Sequence, residues 1–74
     1  MSERRRVIHG ELARICGWDN AMLSFEIDTS TNKVTFTLQS YMRGVGSRKR
    51  KYSSYADAQY AFDRFDRMTH GGTL

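Results

Sequence analysis

Arg43, Arg48, Lys49, Arg50 and Lys51 fall within nine residues, and no acid stands among them. Guanidinium and ammonium groups at this density offer charge-assisted hydrogen bonds to phosphate or carboxylate oxygens. Salt-sensitive contact with a nucleic-acid backbone needs only a few such side chains held in an array. Tyr41 and Thr37 lie just upstream, where a ring can stack on a base and a hydroxyl can meet a base edge. The candidate binding residues are therefore Arg43, Arg48, Lys49, Arg50 and Lys51, with Tyr41 and Thr37 as secondary contacts. A plainer reading of the same run is a charged sheet edge that resists edge-to-edge aggregation.

The net charge of +4 is unevenly distributed. Residues 1–16 contribute +2, residues 17–42 contribute −2, residues 43–51 contribute +5 and residues 52–74 contribute −1. Clustering of this kind steers anionic partners, whereas scattered charge aids only solubility. Arg4, Arg5 and Arg6 could add a second phosphate clamp or form a solvated N-terminal turn.

Catalytic signals are thin. Cys16 falls on an apolar stripe, as a small core residue would, whereas a reactive thiol needs an exposed electropositive site. His9 and His70 have no cysteine or carboxylate at metal-ligand spacing, so neither a metal nor another cofactor is expected. Gly44-Val45-Gly46-Ser47-Arg48-Lys49 looks like a phosphate loop but lacks its full spacing and the helix start that should follow. The expectation is a protein that is not an enzyme.

The elements that must position the cluster come next. Seventy-four residues make one small α+β domain spanning 1–74, whose single core is marginal at this size. Cys16 is the sole cysteine, which excludes an internal disulfide and suggests a reducing, cytoplasmic setting. No apolar run approaches the roughly 20 residues of a membrane span. Proline is absent.

Residues 2–16 read as a helix. Ser2 can cap it, Glu3 suits its first turn, and Ile8, Leu12, Ile15 and Cys16 share a face. Gly17 would stop it. Gly10 argues against the helix, and a strand over 6–10 competes. Trp18 reads as a core plug at the sheet edge. Leu23, Phe25 and Ile27 alternate with Ser24, Glu26 and Asp28; Val34, Phe36 and Leu38 alternate with Thr35, Thr37 and Gln39. This period of two predicts an antiparallel hairpin with one wet face. Residues 44–47 read as a flexible loop, and 48–52 as a third strand at the edge, with Lys49 and Lys51 on the outer face and Tyr52 inward. Ser54 and Asp57 give a capping start. Tyr55, Ala58, Ala61, Phe62, Phe65 and Met68 follow at helical spacing, with Asp63 and Arg67 as an i, i+4 pair. Gly71-Gly72 would end the helix, and residues 1–3 and 71–74 are expected to fray.

The predicted architecture is two-layer α+β in the order α-β-β-β-α, a three-stranded antiparallel sheet packed by a C-terminal helix and carrying an N-terminal helix. The passage from Tyr52 to Asp63, twelve residues with Thr replaced by Ser54, resembles the aromatic-x-Thr-x-x-x-Ala-x-x-Ala-aromatic-Asp passage of the plant ethylene-response-factor DNA-binding domain. That resemblance implies a helix on a three-stranded sheet that reads DNA. The family's arginine and tryptophan strand pattern does not precede the helix here. The element order also resembles double-stranded-RNA-binding domains, but their basic cluster opens the last helix, whereas Ser54-Tyr55 opens this one.

Function is accordingly expected to be nucleic-acid binding, to DNA or RNA, as in a small regulator or accessory protein of a phage or similar element. Glu26 and Asp28 share the wet face and would repel phosphate, which favours the alternative: an adaptor or inhibitor acting on an acidic protein. No membrane partner is expected. A homodimer joined through an edge strand or the N-terminal helix is compatible with either function.

Overall fold

The computed structural model describes residues 6–71. It is an α+β fold with one four-stranded antiparallel sheet and a C-terminal helix. The strands β1 (Val7–Ile15), β2 (Asn20–Asp28), β3 (Lys33–Met42) and β4 (Gly46–Tyr52) lie in chain order across the sheet, and α1 (Tyr55–Asp66) runs into a short π-helical turn at Arg67–Gly71. The predicted hairpin, edge strand and C-terminal helix are present. The expectations for Ser2, Glu3, Arg4, Arg5 and the tail after Gly71 lie outside the described residues.

Alternation decides which side of the sheet is buried. Leu23 faces Leu38 across β2 and β3, and Phe25 faces Phe36. Leu23 and Ala58 are fully buried, with Ala21, Leu38 and Phe62 nearly so. Ala13 and Ile15 of β1, Tyr52 of β4, and Ala61 and Phe65 of α1 close around them. Burying Phe62 is worth roughly 1.5–3 kcal/mol, and Ala58 lets the helix axis approach the sheet. Ser54 caps α1: its backbone is extended, and its hydroxyl accepts the Asp57 N–H at 3.4 Å. Met68, expected on the buried stripe, is exposed. Asp63 accepts a hydrogen bond from Gln59 Nε2 at 2.9 Å, and its expected pairing with Arg67 is not among the ion pairs of the described residues.

The first element corrects the sequence reading. There is no N-terminal helix over the described part of residues 2–16; β1 stands there as a fourth strand. The cause is a bulge. Glu11 pairs with Ser24 and Ala13 with Leu23, so Leu12 is an extra residue without a partner. The helix-facing positions therefore run Ile8, Gly10, Ala13, Ile15, a period of two interrupted once. Leu12, pushed outward and exposed, falls four residues after Ile8 and imitates helical spacing. Gly10 belongs in this strand because it lies opposite Phe25, whose ring occupies the space a β-carbon would need. Cys16, expected in the core, is exposed just beyond the strand.

Of residues 44–47, expected as a flexible loop, Gly46 and Ser47 belong to β4, and residues 43–45 form a tight turn. The Val45 N–H donates to Met42 O at 2.9 Å, and Met42 pairs with Gly46. Gly44 and Gly46 have φ of 85° and 105°, values that glycine adopts without strain.

Two outcomes follow. Gly10→Ala should lower stability by about 1–3 kcal/mol in urea unfolding, and the loss should shrink markedly in a Phe25→Ala background. A Gly10→Ala penalty of the same size in that background would contradict the close approach. Native Cys16 should react completely with a thiol reagent; reaction only after addition of denaturant would contradict its exposure.

Candidate nucleic-acid interface

A strand turns a run of cations into two rows. In β4, Lys49 pairs with Gln39 and Lys51 with Thr37, while Arg48 pairs with Ser40 and Arg50 with Leu38. Leu38 belongs to the core, so Arg48 and Arg50 lie on the helix side and Lys49 and Lys51 on the opposite, open side. As predicted, β4 is an edge strand. All four cations are exposed.

No helix among the described residues covers the open side. Across it the rows run Glu11, Ser24, Thr37, Lys51 and Arg14, Met22, Gln39, Lys49, with Asn20, Tyr41 and Ser47 toward one end. Two shallow hollows of about 750 and 400 Å3 adjoin along this face and share Met22, Gln39 and Lys49. The predicted Tyr41 and Thr37 are both here. Tyr41 is 40% exposed, whereas Thr37, between Ser24 and Lys51, is buried.

The acids on this face are mostly engaged. Glu11 receives two hydrogen bonds from Arg14, at 2.8 and 3.2 Å, reaching across the β1 bulge. Bonding to Glu11 raises the Arg14 pKa above its ordinary value, and this pair contributes no free charge. Asp28 Oδ1 accepts from the Ser30 N–H at 3.0 Å and the Ser30 hydroxyl at 2.6 Å, closing the β2–β3 turn. Glu26 faces Thr35 and His9, two strands from β4, or about 10 Å at ordinary strand spacing. Lys49 and Lys51 make no ion pair among the described residues.

On the other side, a groove of about 590 Å3 lies between β4 and α1, lined by Arg48, Arg50 and Arg64 together with Tyr52, Asp57 and Tyr60. Sequence reasoning missed Arg64. Its signal was helical spacing: Asp57, Tyr60, Ala61, Arg64, Phe65 and Met68 recur at three and four residues and line one flank.

Arg43 is separate from both rows. It sits in the β3–β4 turn, and its guanidinium carbon lies 4.6 Å from the ring centroid of Trp18. Its backbone N–H donates to Asp19 Oδ1 at 2.9 Å, tying this turn to the β1–β2 turn. Trp18, expected in the core, is 76% exposed at this end of the sheet. It misses the core because it lies in the turn beyond β1, whose last inward side chain is Ile15. The predicted cluster is thus brought together at one edge but divided into an open row, a helix-side row and a turn.

No group of three or more histidine, cysteine or carboxylate side chains able to hold a metal occurs among the described residues, and none of their helices is long and apolar enough to cross a membrane. Comparison with protein-family models, curated proteins and solved structures finds no match to this chain.

Proposed function

We propose that this chain is a small non-enzymatic nucleic-acid-binding module whose β4 edge and adjoining turn contact phosphates. The observation that carries this reading is the position of Lys49 and Lys51. Both stand on the uncovered face, opposite Gln39 and Thr37, with no acidic partner among the described residues. A backbone lying along β4 would meet them from the open side, with Arg48, Arg50 and Arg64 within reach from the other. Gln39 and Tyr41 offer an amide and a ring beside those cations. Arg14 offsets the charge of Glu11, and the two acids whose repulsion the sequence suggested, Glu26 and Asp28, stand on β2, two strands or about 10 Å from β4.

A second reading is an adaptor or inhibitor that binds a protein carrying an acidic surface, because a protein, unlike a phosphate backbone, can set a hydrogen-bond donor against Glu26 while its acids meet the β4 cations. In that case a pull-down returns one stoichiometric protein that survives nuclease treatment.

The test is an anisotropy titration with labelled oligonucleotides at two salt concentrations, about 50 and 200 mM. Binding should weaken steeply with salt, and Lys49→Ala/Lys51→Ala should flatten the log–log slope by roughly 1.5–2. Arg48→Ala/Arg50→Ala measures how far the helix-side row contributes. Affinity unchanged when all four are replaced would sink the proposal.

A further inference from the structure

We propose that the Trp18–Arg43 stack is a binding site for an unpaired nucleobase and its phosphate, which makes single-stranded nucleic acid the preferred substrate class. This rests on the nucleic-acid reading above and adds a site apart from the lysine row.

Trp18 is the chain's sole tryptophan, and it makes no part of the core. It is nevertheless built into place. Asp19 bridges to the Arg43 backbone, Asn20 Nδ2 donates to Gly17 O at 3.4 Å across the same turn, and the Arg43 guanidinium lies over the indole. A ring flanked by one cation and still 76% exposed retains a free π surface. Asp19 directs its hydrogen bond to the Arg43 amide, so the guanidinium donors remain available to an anion. A flat apolar ring with a cation beside it matches a nucleotide, which carries a flat base and an anionic phosphate.

The site adjoins the open face through Gly17, the residue before Trp18, and Asn20. The larger hollow begins at Gly17 and Asn20, passes Tyr41 and Ser47, and reaches Lys49. A nucleotide strand leaving Trp18 along it would meet a second exposed ring and then the lysine row. Bases inside a duplex have both faces occupied by stacking, so only unpaired bases can use Trp18 in this way. The two exposed rings, Trp18 and Tyr41, favour this occupant over an acidic protein segment, because carboxylates alone would leave both unused.

Trp18 is its own reporter. Intrinsic fluorescence is followed while deoxythymidine decamer, a blunt-ended two-strand DNA duplex or anionic phospholipid vesicles are added to the full chain. The decamer should quench the emission, and in an anisotropy titration with labelled decamer, which needs no tryptophan, Trp18→Ala should weaken binding by roughly 5- to 150-fold, with Trp18→Phe retaining most of the affinity. Duplex binding should change less than about twofold in both variants, the residual being phosphate contact. Circular dichroism checks that each variant folds. If the decamer binds in a manner sensitive to Lys49→Ala/Lys51→Ala but neither quenches Trp18 nor weakens on its replacement, the stacking site is wrong and the nucleic-acid reading stands. If no oligonucleotide binds at low salt, both fall. Emission that responds to vesicles and not to the decamer overturns the site in favour of a lipid surface.

Discussion

Leu23 is the point on which the fold turns. It lies fully buried in the second strand, beside Leu38 and beneath Ala58 and Phe62, where the sheet and its single helix meet. One twelve-residue helix can cover only one side of a four-stranded sheet. The other side must therefore tolerate water, and its residues show how: serine, threonine, glutamine, lysine and a paired arginine, with methionine and tyrosine among them. The small side chains of Ala58 and Ala61 bring the helix close enough for Phe62 to reach the strands. Without that layer nothing would hold the strands in register for a surface to exist.

That constraint sorts the charge. Arg48, Lys49, Arg50 and Lys51 are chemically similar and consecutive, yet strand geometry sends alternate members to opposite sides. The helix side gains Arg64 from α1, and the open side gains Gln39 and Tyr41 from β3. Arg43 is drawn away by the turn and by Trp18. One linear basic run thus becomes three local environments, each with different polar and aromatic neighbours. Their combined field still has one sign along the β4 edge, which suits long-range attraction of an anion before any specific contact forms.

The parts legible in the sequence were those governed by a single period. Leu23 to Asp28 and Val34 to Gln39 alternate without interruption, and both strands are present. Ser54, Asp57 and the apolar positions after them fix α1 in the same way. The charges of 48–51 correctly excluded a central strand. Legibility ended where a period was broken or a distant partner decided the outcome. Leu12 interrupts the alternation of β1 and makes three strand residues look helical. Trp18 was assigned by its apolar character, but its position depends on Arg43 and on Asp19 meeting a turn more than twenty residues away. Thr37 was placed on the correct face, but it is buried between Ser24 and Lys51 on neighbouring strands, which no alternation rule reveals. Arg64 was overlooked because the helix was read for its buried stripe and for an Asp63–Arg67 pair, not for the flank that lies toward β4.

The order of the strands bears on how the chain reaches this state. Every strand neighbours the one before it, and the connections are short: residues 16–19, 29–32 and 43–45 between strands, and Ser53-Ser54 before the helix. Each pairing can begin at its own turn and zip outward, with no strand waiting for a remote segment to arrive. Loop-closure entropy is thereby met in small steps, a topology associated with faster folding than sheets assembled from distant segments. The helix is the exception: it must dock across β2, β3 and β4 together, so its closure over the sheet is the step that hides the apolar side and fixes the strands beneath it.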